Sequence, residues 1–380
     1  MNQQYISWKW IMLLPVLFIA NCKVPYDPPI KSSRIHYLVV DGFINANGPT
    51  DIKLSRTRNI TWGDTASYII ETGAHIVIED ENNNQLPLYE EYDGHYIGSY
   101  SLSLGNYYRL RITTADQKEY LSDFVRCKIT PPIDNVGWKF KDGDVQVFVN
   151  THDPNNSTTY YRWDYLETWE FHSQYYSKFK YDHDTKKVVN RTEPVFVCYR
   201  TRNSSKIFLG SSAKLKEDVI HEAPLELIPN HDRRISVLYS TLVTQYALDS
   251  AGYNYWYAMK GNTENVGSIF DPQPNQTQGN IHCVTDSTEK VIGYVGAGTV
   301  QQQRLFISNS EMPFEWNQPP NCSEYTVPVD SLEFYFGGGA LIPYDADPPG
   351  SFIPSGYLSA SASCVDCTLS GTTVKPSFWP

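Results

Sequence analysis

The chain has 380 residues, a formal net charge of -11 and an aromatic content of 14%. Its apolar fraction of 41% is too high for an intrinsically disordered chain, and its acidic balance argues against a protein that binds the nucleic-acid backbone. The length accommodates two domains, and an odd count of seven cysteines leaves one thiol over if the others pair.

The amino terminus has the pattern of an export signal. Residues 11–20 form one apolar run, which is too short to span a bilayer core of about 30 Å. The run ends at Ile19-Ala20-Asn21-Cys22, which resembles a bacterial lipobox. We therefore expect a signal peptide at residues 1–21, a lipid on Cys22 and a proline-rich tether at 22–34. The alternative is an ordinary cleaved signal with a plain thiol at Cys22.

Lipidation of Cys22 leaves an even number of cysteines, which can pair in the oxidising compartment of an exported protein. Cys364 and Cys367 form the sharpest local motif. We interpret them as structural disulfide cysteines that either close their own short loop or pair with Cys322 and another cysteine. The alternatives are a zinc site, which needs two more ligands, and a redox dithiol, which normally starts a helix. The disulfide candidates are Cys127, Cys198, Cys283, Cys322, Cys364 and Cys367.

Residues 35–130 show the period-two pattern of short strands and predict an immunoglobulin-like, Greek-key β-sandwich. Leu102, Gly105 and Tyr107 also fit the spacing of a tyrosine corner, which is a feature of such sandwiches. The runs with strand character are residues 36–44, 51–56, 75–80 and 86–89.

Paired prolines within residues 130–134 mark a boundary, and residues 131–380 are expected to form a larger, β-rich carboxy-terminal domain. Residues 160–171 predict a long strand with one aromatic and one charged face. Asp249 predicts the start of a helix, in which aromatic residues recur at helical spacing as far as Lys260. The fold class is therefore mainly β, with one or two short helices.

The aromatic face of the strand at 160–171 permits a binding role, because Trp and Tyr provide large contact areas and stack on sugar rings. The alternative, which strand alternation favours, is that these rings fill a sandwich core. Arg162, Asp164 and Glu170 on the opposite face then lie either at a domain junction or against a partner. The candidate ligand- or partner-binding residues are Tyr161, Trp163 and Trp169.

The sequence carries none of the nucleophile-elbow, zinc-protease, Walker or Rossmann motifs. The densest cluster of potential metal ligands is Asp182-His183-Asp184, which lies in a lysine-rich stretch and is interpreted as a solvated loop. We therefore expect a non-catalytic protein without a cofactor and without a metal ion.

A series of short segments, spread over most of the chain, carries a family signature. They are Leu-Val-Val-Asp-Gly at 38–42, Thr-Pro-Pro-Ile-Asp at 130–134, Cys-Val-Asp-Cys-Thr at 364–368, and residues 54–57, 161–163, 168–171, 262–264, 267–274 and 375–379. Together they resemble a family of Bacteroidota lipoproteins catalogued as domain of unknown function 4249. The family has no agreed activity, and its members look like outer-membrane lipoproteins that often accompany TonB-dependent, SusC-like transporters.

The resemblance implies a location and a partner. We expect a lipid-anchored outer-membrane protein, with the cell surface favoured over the periplasm, that acts as a surface accessory or ligand-capture subunit of a SusC-like barrel. The alternative is a structural or assembly component of an outer-membrane protein complex. The expected partners are outer-membrane lipid, reached through Cys22, and the barrel or other outer-membrane proteins, with no nucleic acid.

Overall fold

The computed structural model describes residues 36–58, 68–264, 278–316 and 322–380, and over these ranges the chain is mainly β. The expected signal peptide, the lipidated Cys22, the tether and the family segment at 267–274 lie outside the described residues. Among the helices that the structure describes, none has the length and apolar character needed to cross a membrane.

The strands of the first half form one hydrogen-bonded sheet that folds over a single core, in a sandwich or barrel-like arrangement that we call the first sandwich. One group of its strands is centred on β4, which pairs with β5 and β7, and another on β2, which pairs with β1 and β6. Alternate residues of both groups enter one core, so the period-two pattern predicted these strands correctly. The strands are β1 (Leu38–Asn45), β2 (Pro49–Thr57), β3 (Tyr68–Ile70), β4 (His75–Asp80), β5 (Gln85–Tyr92), β6 (His95–Ser99), β7 (Tyr107–Thr113), β8 (Glu119–Ser122) and β9 (Val125–Arg126).

The tyrosine corner is formed by Tyr108, one residue after the tyrosine that the sequence motif indicated. Its hydroxyl accepts a hydrogen bond from the Ser103 amide at 2.9 Å and donates to the Ser103 carbonyl at 3.4 Å. Tyr107 is 41% exposed, because the alternation of β7 directs Tyr108, Leu110 and Ile112 inward. The motif therefore located the corner correctly, but it indicated Tyr107 where the structure uses Tyr108.

The second half is built around the sheet β15–β12–β18–β22, in which β16 also pairs with β12. The sheet β10–β11–β17 shares a core with it, and β23–β25–β24 form a third, small sheet. The elements are β10 (Ile133–Lys141), β11 (Asp144–Asp153), β12 (Tyr160–His172), β13 (Phe179–Asp182), β14 (Lys187–Asn190), β15 (Val197–Asn203), β16 (Phe208–Ser211), β17 (Asp218–Ile228), β18 (Leu238–Leu248), α1 (Ser250–Glu264), β19 (Ile281–Cys283), β20 (Val291–Ile292), β21 (Ala297–Gly298), β22 (Val300–Ser308), β23 (Glu324–Pro328), α2 (Leu332–Phe336), β24 (Leu341–Asp347), β25 (Gly356–Ser361) and α3 (Ala362–Val365), with 3₁₀ turns at Arg233–Ile235, Asn309–Glu311, Phe314–Trp316 and Cys367–Leu369.

Three short strands after α1 return to the first sandwich. β19 pairs with β8, while β20 and β21 run parallel to β1. These strands fall within residues 131–380, the range expected to form the second domain, so the sandwich at 35–130 is completed by a later part of the chain. Strands of two or three residues carry no detectable periodicity, and the sequence pattern therefore could not reveal this return.

The proline-containing junction at 130–134 is packed against β18. The Thr130 hydroxyl accepts a hydrogen bond from the Ala247 amide at 3.0 Å, and the Gln245 side-chain amide donates to the Pro131 carbonyl at 2.8 Å. The junction is thereby held in place between the sandwich and the sheet, which fixes the relative position of the surfaces on either side of it.

Two disulfides, Cys198–Cys367 and Cys322–Cys364, attach the carboxy-terminal segment. Cys364 and Cys367 are thus structural disulfide cysteines with separate, distant partners. Cys127 and Cys283 were also disulfide candidates, and this prediction is wrong, since both are buried and free. Cys283 lies opposite Tyr120 on β8, whereas Cys127 directly follows β9.

Thiol titration tests this assignment in the full chain carrying Cys22→Ser. Burial raises the pKa of Cys127 to about 11, so the thiolate is scarce at pH 8 and the native protein should react slowly. After unfolding in urea without reductant, we expect two titratable thiols, because four of the six remaining cysteines are paired. Cys127→Ala is expected to reduce the count by one, and a zero count would contradict the assignment.

A buried carboxylate in β4 makes the first sandwich pH-sensitive. Glu79 is 1% exposed and accepts hydrogen bonds from Arg109, Arg111 and Gln85. Burial alone raises its pKa, but the bonds from Arg111, Gln85 and Arg109 outweigh burial and hold the pKa below its ordinary value of 4.5. The stabilisation is therefore present above pH 4.5 and is lost as the pH falls through the folded-state pKa.

We expect Glu79→Gln to lower the free energy of unfolding at pH 7 by about 3 kcal/mol, because its arginine partners lose a charged acceptor. The difference from the wild type should shrink as the pH falls below 4. Urea denaturation at several pH values measures both effects. A difference that stays constant from pH 7 to pH 3 would show that the charge of Glu79 does not contribute.

Candidate ligand-binding cleft

A cleft of about 740 Å³ lies between the first sandwich and the outer face of the sheet that contains β12. Its floor includes Arg162 and Asp164 of β12 and Tyr246 of β18, its first wall includes Phe43 of β1, and its second wall includes Trp256 of α1. This volume falls within the range of small-molecule sites, about 300–1,000 Å³.

Strand alternation and register together place the floor residues. Tyr161 and Trp163 face the core with 0% and 1% exposure, so Arg162 between them faces the other way. In the antiparallel register, Arg162 is directly opposite Tyr246 of β18 and Leu209 of β16. Side chains directly opposite each other lie on the same face of a sheet, and Arg162 and Tyr246 therefore lie side by side in the cleft floor.

The Arg162 guanidinium lies close to two aromatic rings. Its Cζ atom lies 4.6 Å from the ring centroid of Tyr246 and 4.3 Å from that of Trp256, and the residue is only 8% exposed. Nη2 donates to Asp164 Oδ2 at 2.9 Å, whereas Nε has no hydrogen-bond partner among the described residues. A buried donor without an acceptor costs about 1–3 kcal/mol, so this atom is an energetically unfavourable part of the floor.

The surroundings of Arg162 keep it charged. Burial alone lowers the pKa of Arg162, but Asp164, Tyr246 and Asp41 outweigh burial and raise the pKa above its ordinary value. Burial, followed by the charge of Asp164, also raises the pKa of Tyr246, so its hydroxyl remains protonated. The floor therefore presents a fixed cation and a neutral phenol.

Helix α1 begins where the sequence predicts, and it is held on both sides. Asp249 accepts a hydrogen bond from the Gly252 amide at 2.7 Å, as an N-cap residue does, and another from the Tyr294 hydroxyl at 2.8 Å. Near the other end of the helix, Lys260 donates to the Ile207 carbonyl at 2.8 Å. The wall that carries Trp256 is thus attached to both the β20–β21 connection and the β15–β16 connection.

The approach of β20 to β1 requires glycine at position 293. Gly293 has a φ of +149°, and a Cβ atom there would lie 2.3 Å from the Val40 carbonyl oxygen. Any side chain would therefore separate the two strands at the edge of the cleft.

The comparison with known families adds one relationship. Residues 23–304 match a family described as Domain of unknown function (DUF4249). The chain belongs to this family. The match includes β1, β12, β18 and α1, so the whole cleft lies within the DUF4249 region, whereas Cys322, Cys364 and Cys367 lie beyond it. No curated protein matches the sequence.

The prediction that Tyr161 and Trp163 of this DUF4249 chain contact a ligand or partner is wrong. Both rings fill the core of the second half, where the Tyr161 hydroxyl donates to Asp218 and the Trp163 indole donates to Gln245 at 2.7 Å. Trp169 is 7% exposed and belongs to the same core. Tyr161 and Trp163 have almost no accessible surface and cannot contact a ligand, so the core alternative that alternation favoured describes them. Trp169 is also mainly buried, but it lines a pocket of about 290 Å³ together with Arg200 and Arg202.

The charged face of β12 divides between two environments. Arg162 and Asp164 lie in the cleft at the junction between sandwich and sheet, which the sequence offered as one of two alternatives. Glu170, at the other end of the strand, accepts a hydrogen bond from the indole of Trp379 at 3.0 Å. The end of this face that carries Arg162 and Asp164 therefore borders the cleft, whereas the end that carries Glu170 is covered by Trp379.

Sequence reasoning did not identify Tyr246 and Asp41 as site residues. Asp41 lies in the family segment at 38–42, and Tyr246 lies on β18, eighty-four positions after Arg162 in the chain. Only the strand register brings Tyr246 beside Arg162. The available signal was the amphipathic strand itself, which placed Arg162 on the face opposite the core.

The acidic cluster at Asp182-His183-Asp184 forms an ordinary turn between β13 and β14. The Asp182 carboxylate accepts hydrogen bonds from the amides of Asp184 at 2.9 Å and Thr185 at 3.1 Å. Within the part of the chain that the structure describes, no group of three or more His, Cys, Asp and Glu side chains is placed to hold a metal ion.

Proposed function

We propose that this DUF4249 protein is a non-catalytic, lipid-anchored outer-membrane protein that captures a small ligand for a SusC-like, TonB-dependent barrel. The observation that carries the proposal is the cleft, whose walls are fixed by hydrogen bonds and whose floor holds the buried Arg162. A preformed cavity with a few placed polar groups is the usual form of a small-molecule site.

Sequence features support the location and the partner. The lipobox-like Ile19–Cys22 supports lipidation, and the proline-rich residues 22–34 support a tether that holds the folded part away from the membrane. The resemblance to lipoproteins that accompany SusC-like transporters supports the barrel as partner. Capture requires only that the protein bind its ligand, and the charged and aromatic side chains of the cleft can provide the contacts for binding.

The test is a native pull-down from outer membranes combined with an uptake assay. We expect a SusC-like barrel to co-purify with the tagged protein, and deletion of the gene to reduce transporter-dependent uptake. Cys22→Ser is the control for anchoring, because it should release the protein from the membrane without altering the cleft. Unchanged uptake together with the absence of a co-purifying barrel would overturn the proposal.

A second candidate function is a structural component of an outer-membrane protein complex, and one surface favours it. Phe334, Phe352 and Ile353 are almost fully exposed on α2 and on the β24–β25 connection. A hydrogen bond from the Val329 amide to the Ser355 carbonyl joins the chain shortly before α2 to the chain shortly before β25. Exposed apolar side chains of this size are typical of protein contacts.

The double variant Phe352→Asp/Ile353→Asp distinguishes this second candidate. Loss of a stable, ligand-free complex in the variant would support a structural role. Retention of every co-purifying protein would reject that role for this surface.

A further inference from the structure

A second, smaller pocket of about 290 Å³ lies at the edge of the second core, where β15 pairs with β12. Arg200 of β15 is directly opposite Trp169 of β12, so both side chains lie on the core-facing side of this sheet. None of its described lining residues also lines the cleft. We call it the arginine pocket, and its lining residues are Trp169, Phe171, Arg200, Arg202, Asp232, Arg233, Arg234 and Ser370.

Two of the four arginines in this pocket are already paired with carboxylates. Arg202 donates to Glu167 at 2.6 Å, and Arg234 bonds to Glu167, Glu226 and Asp232. Asp232 is the one carboxylate among the described lining residues, and Arg234 occupies it. The pocket therefore has no carboxylate left over for its other two arginines.

Arg200 and Arg233 have no carboxylate partner among the described residues. Arg200 lies over the ring of Trp169 at 5.9 Å and makes no hydrogen bond through its side chain within that part of the chain. Arg233 lies over the ring of Phe171 at 4.0 Å and donates to the Ser370 hydroxyl at 3.3 Å. Both arginines are exposed residues, so an added group can reach them from solvent.

The two unpaired cations also repel each other. Partial burial, followed by the positive charge of Arg200, lowers the pKa of Arg233 below its ordinary value. Arginine nevertheless keeps its charge at neutral pH. An anion in contact with both guanidinium groups would offset the repulsion and supply the missing acceptors.

The sides of the pocket are fixed before any ligand binds. The disulfide Cys198–Cys367 joins β15, two residues before Arg200, to the carboxy-terminal segment. The amide of Tyr199 donates to the Thr372 carbonyl at 2.7 Å, and the amide of Thr372 donates back to the Tyr199 carbonyl at 2.9 Å. A site that is already ordered loses little conformational entropy on binding.

The number of unpaired cations favours a phosphate group. Phosphate carries a charge of about -1.5 to -2 at pH 7 and three acceptor oxygens, so one group can accept from Arg200 and Arg233 together. A single carboxylate would neutralise only one of them. The pocket is slightly smaller than the usual range of small-molecule sites, about 300–1,000 Å³, and so suits one such group or the end of a larger molecule. The formal net charge of -11 argues against a long polyanion.

We propose that the arginine pocket binds a phosphate group, whose oxygens accept hydrogen bonds from Arg200 and Arg233. This is a second binding site, separate from the cleft, and it goes beyond the proposed function and does not depend on it. The phosphate can be the free ion, part of a soluble phosphate ester or part of a lipid headgroup.

Inorganic phosphate and two matched pairs of probes test the proposal and distinguish these sources. The first pair is glucose 6-phosphate and glucose. The second pair is dihexanoyl phosphatidic acid and dihexanoyl phosphatidylcholine, in which choline covers the phosphate. Isothermal titration uses the full chain with Cys22→Ser. We expect at least one phosphate monoester to bind about tenfold or more tightly than its counterpart, in keeping with charged hydrogen bonds.

Arg200→Gln and Arg233→Gln test the site, and each is expected to weaken binding of the phosphate ester about tenfold or more. Arg304→Gln is the matched control. Arg304 stacks on Phe378 at 3.6 Å and donates to Ser240 at 3.0 Å, just as Arg233 contacts a phenylalanine and a serine. The register places Arg304 on the opposite face of the sheet from Trp169, so its replacement should leave the affinity unchanged.

Circular dichroism checks that the variants are folded. Arg200→Gln breaks no hydrogen bond among the described residues, so it decides the question if Arg233→Gln does not fold. Tighter binding of glucose 6-phosphate would identify a soluble ester, tighter binding of phosphatidic acid a lipid, and equally tight binding of inorganic phosphate the free ion. No discrimination within either pair, binding that neither pocket variant weakens, or an equal loss in Arg304→Gln would overturn the proposal.

Discussion

Replacement of Arg234 by methionine is expected to lower the free energy of unfolding by about 3–5 kcal/mol. Arg234 is 8% exposed, and its guanidinium bonds to Glu167 at 3.0 Å, Glu226 at 2.8 Å and Asp232 at 3.0 Å. Methionine fills much of the volume but removes the cation. Glu167, which is 0% exposed, would then lose one of its charged partners, and the loss should appear in urea denaturation at pH 7.

An exposed ion pair provides the control for this prediction. Lys186 donates to Glu333 at 2.5 Å, and both side chains are more than half exposed. Lys186→Met removes a cation in the same way, yet it should leave the denaturation midpoint unchanged because solvent already screens the pair. Equal shifts in the two variants would contradict the view that burial of the carboxylates makes Arg234 important.

Glu167 also shows how far the sequence can predict the fold. The alternation of β12 places position 167 on the inward, aromatic face, although hydropathy would not place a carboxylate there. Its partners Arg202, Arg234 and Tyr239 lie on other elements, and only tertiary structure brings them to it. Local periodicity therefore predicts the strand and its faces, while the polar network that makes a buried charge tolerable depends on long-range contacts.

The cleft, too, could be predicted only in part from local sequence patterns. The pattern of β12 separated an aromatic face from a charged face, and the start of α1 followed from Asp249. The binding role was assigned to Trp163 and its aromatic neighbours, because large rings are common in binding sites. The cleft is instead lined by Arg162 on the opposite face. The cleft depends on the β12–β18 register and on the return of residues 291–298 to β1, and neither leaves a local signature in the sequence.

Loss of the disulfide between Cys198 and Cys367 should be the other large effect on stability. The bond joins residues 169 positions apart, and both cysteines are 0% exposed within the second core. A cross-link of that span restricts the unfolded chain strongly, so Cys198→Ala/Cys367→Ala is expected to lower the free energy of unfolding by about 5 kcal/mol. Urea denaturation without reductant measures the change.

The two free thiols provide the matched control for the cross-link. Cys127→Ala/Cys283→Ala also removes two buried sulfur atoms, but it breaks no covalent connection, so its cost should be only about 1 kcal/mol per site. The difference between the double variants therefore isolates the cross-link from the loss of packing. Equal destabilisation by the two double variants would show that Cys198 and Cys367 stabilise the protein only through packing, and that their cross-link contributes nothing. In that case, attachment of the carboxy-terminal segment would depend on its other contacts, including the edge-to-face contact of Trp379 with Tyr199.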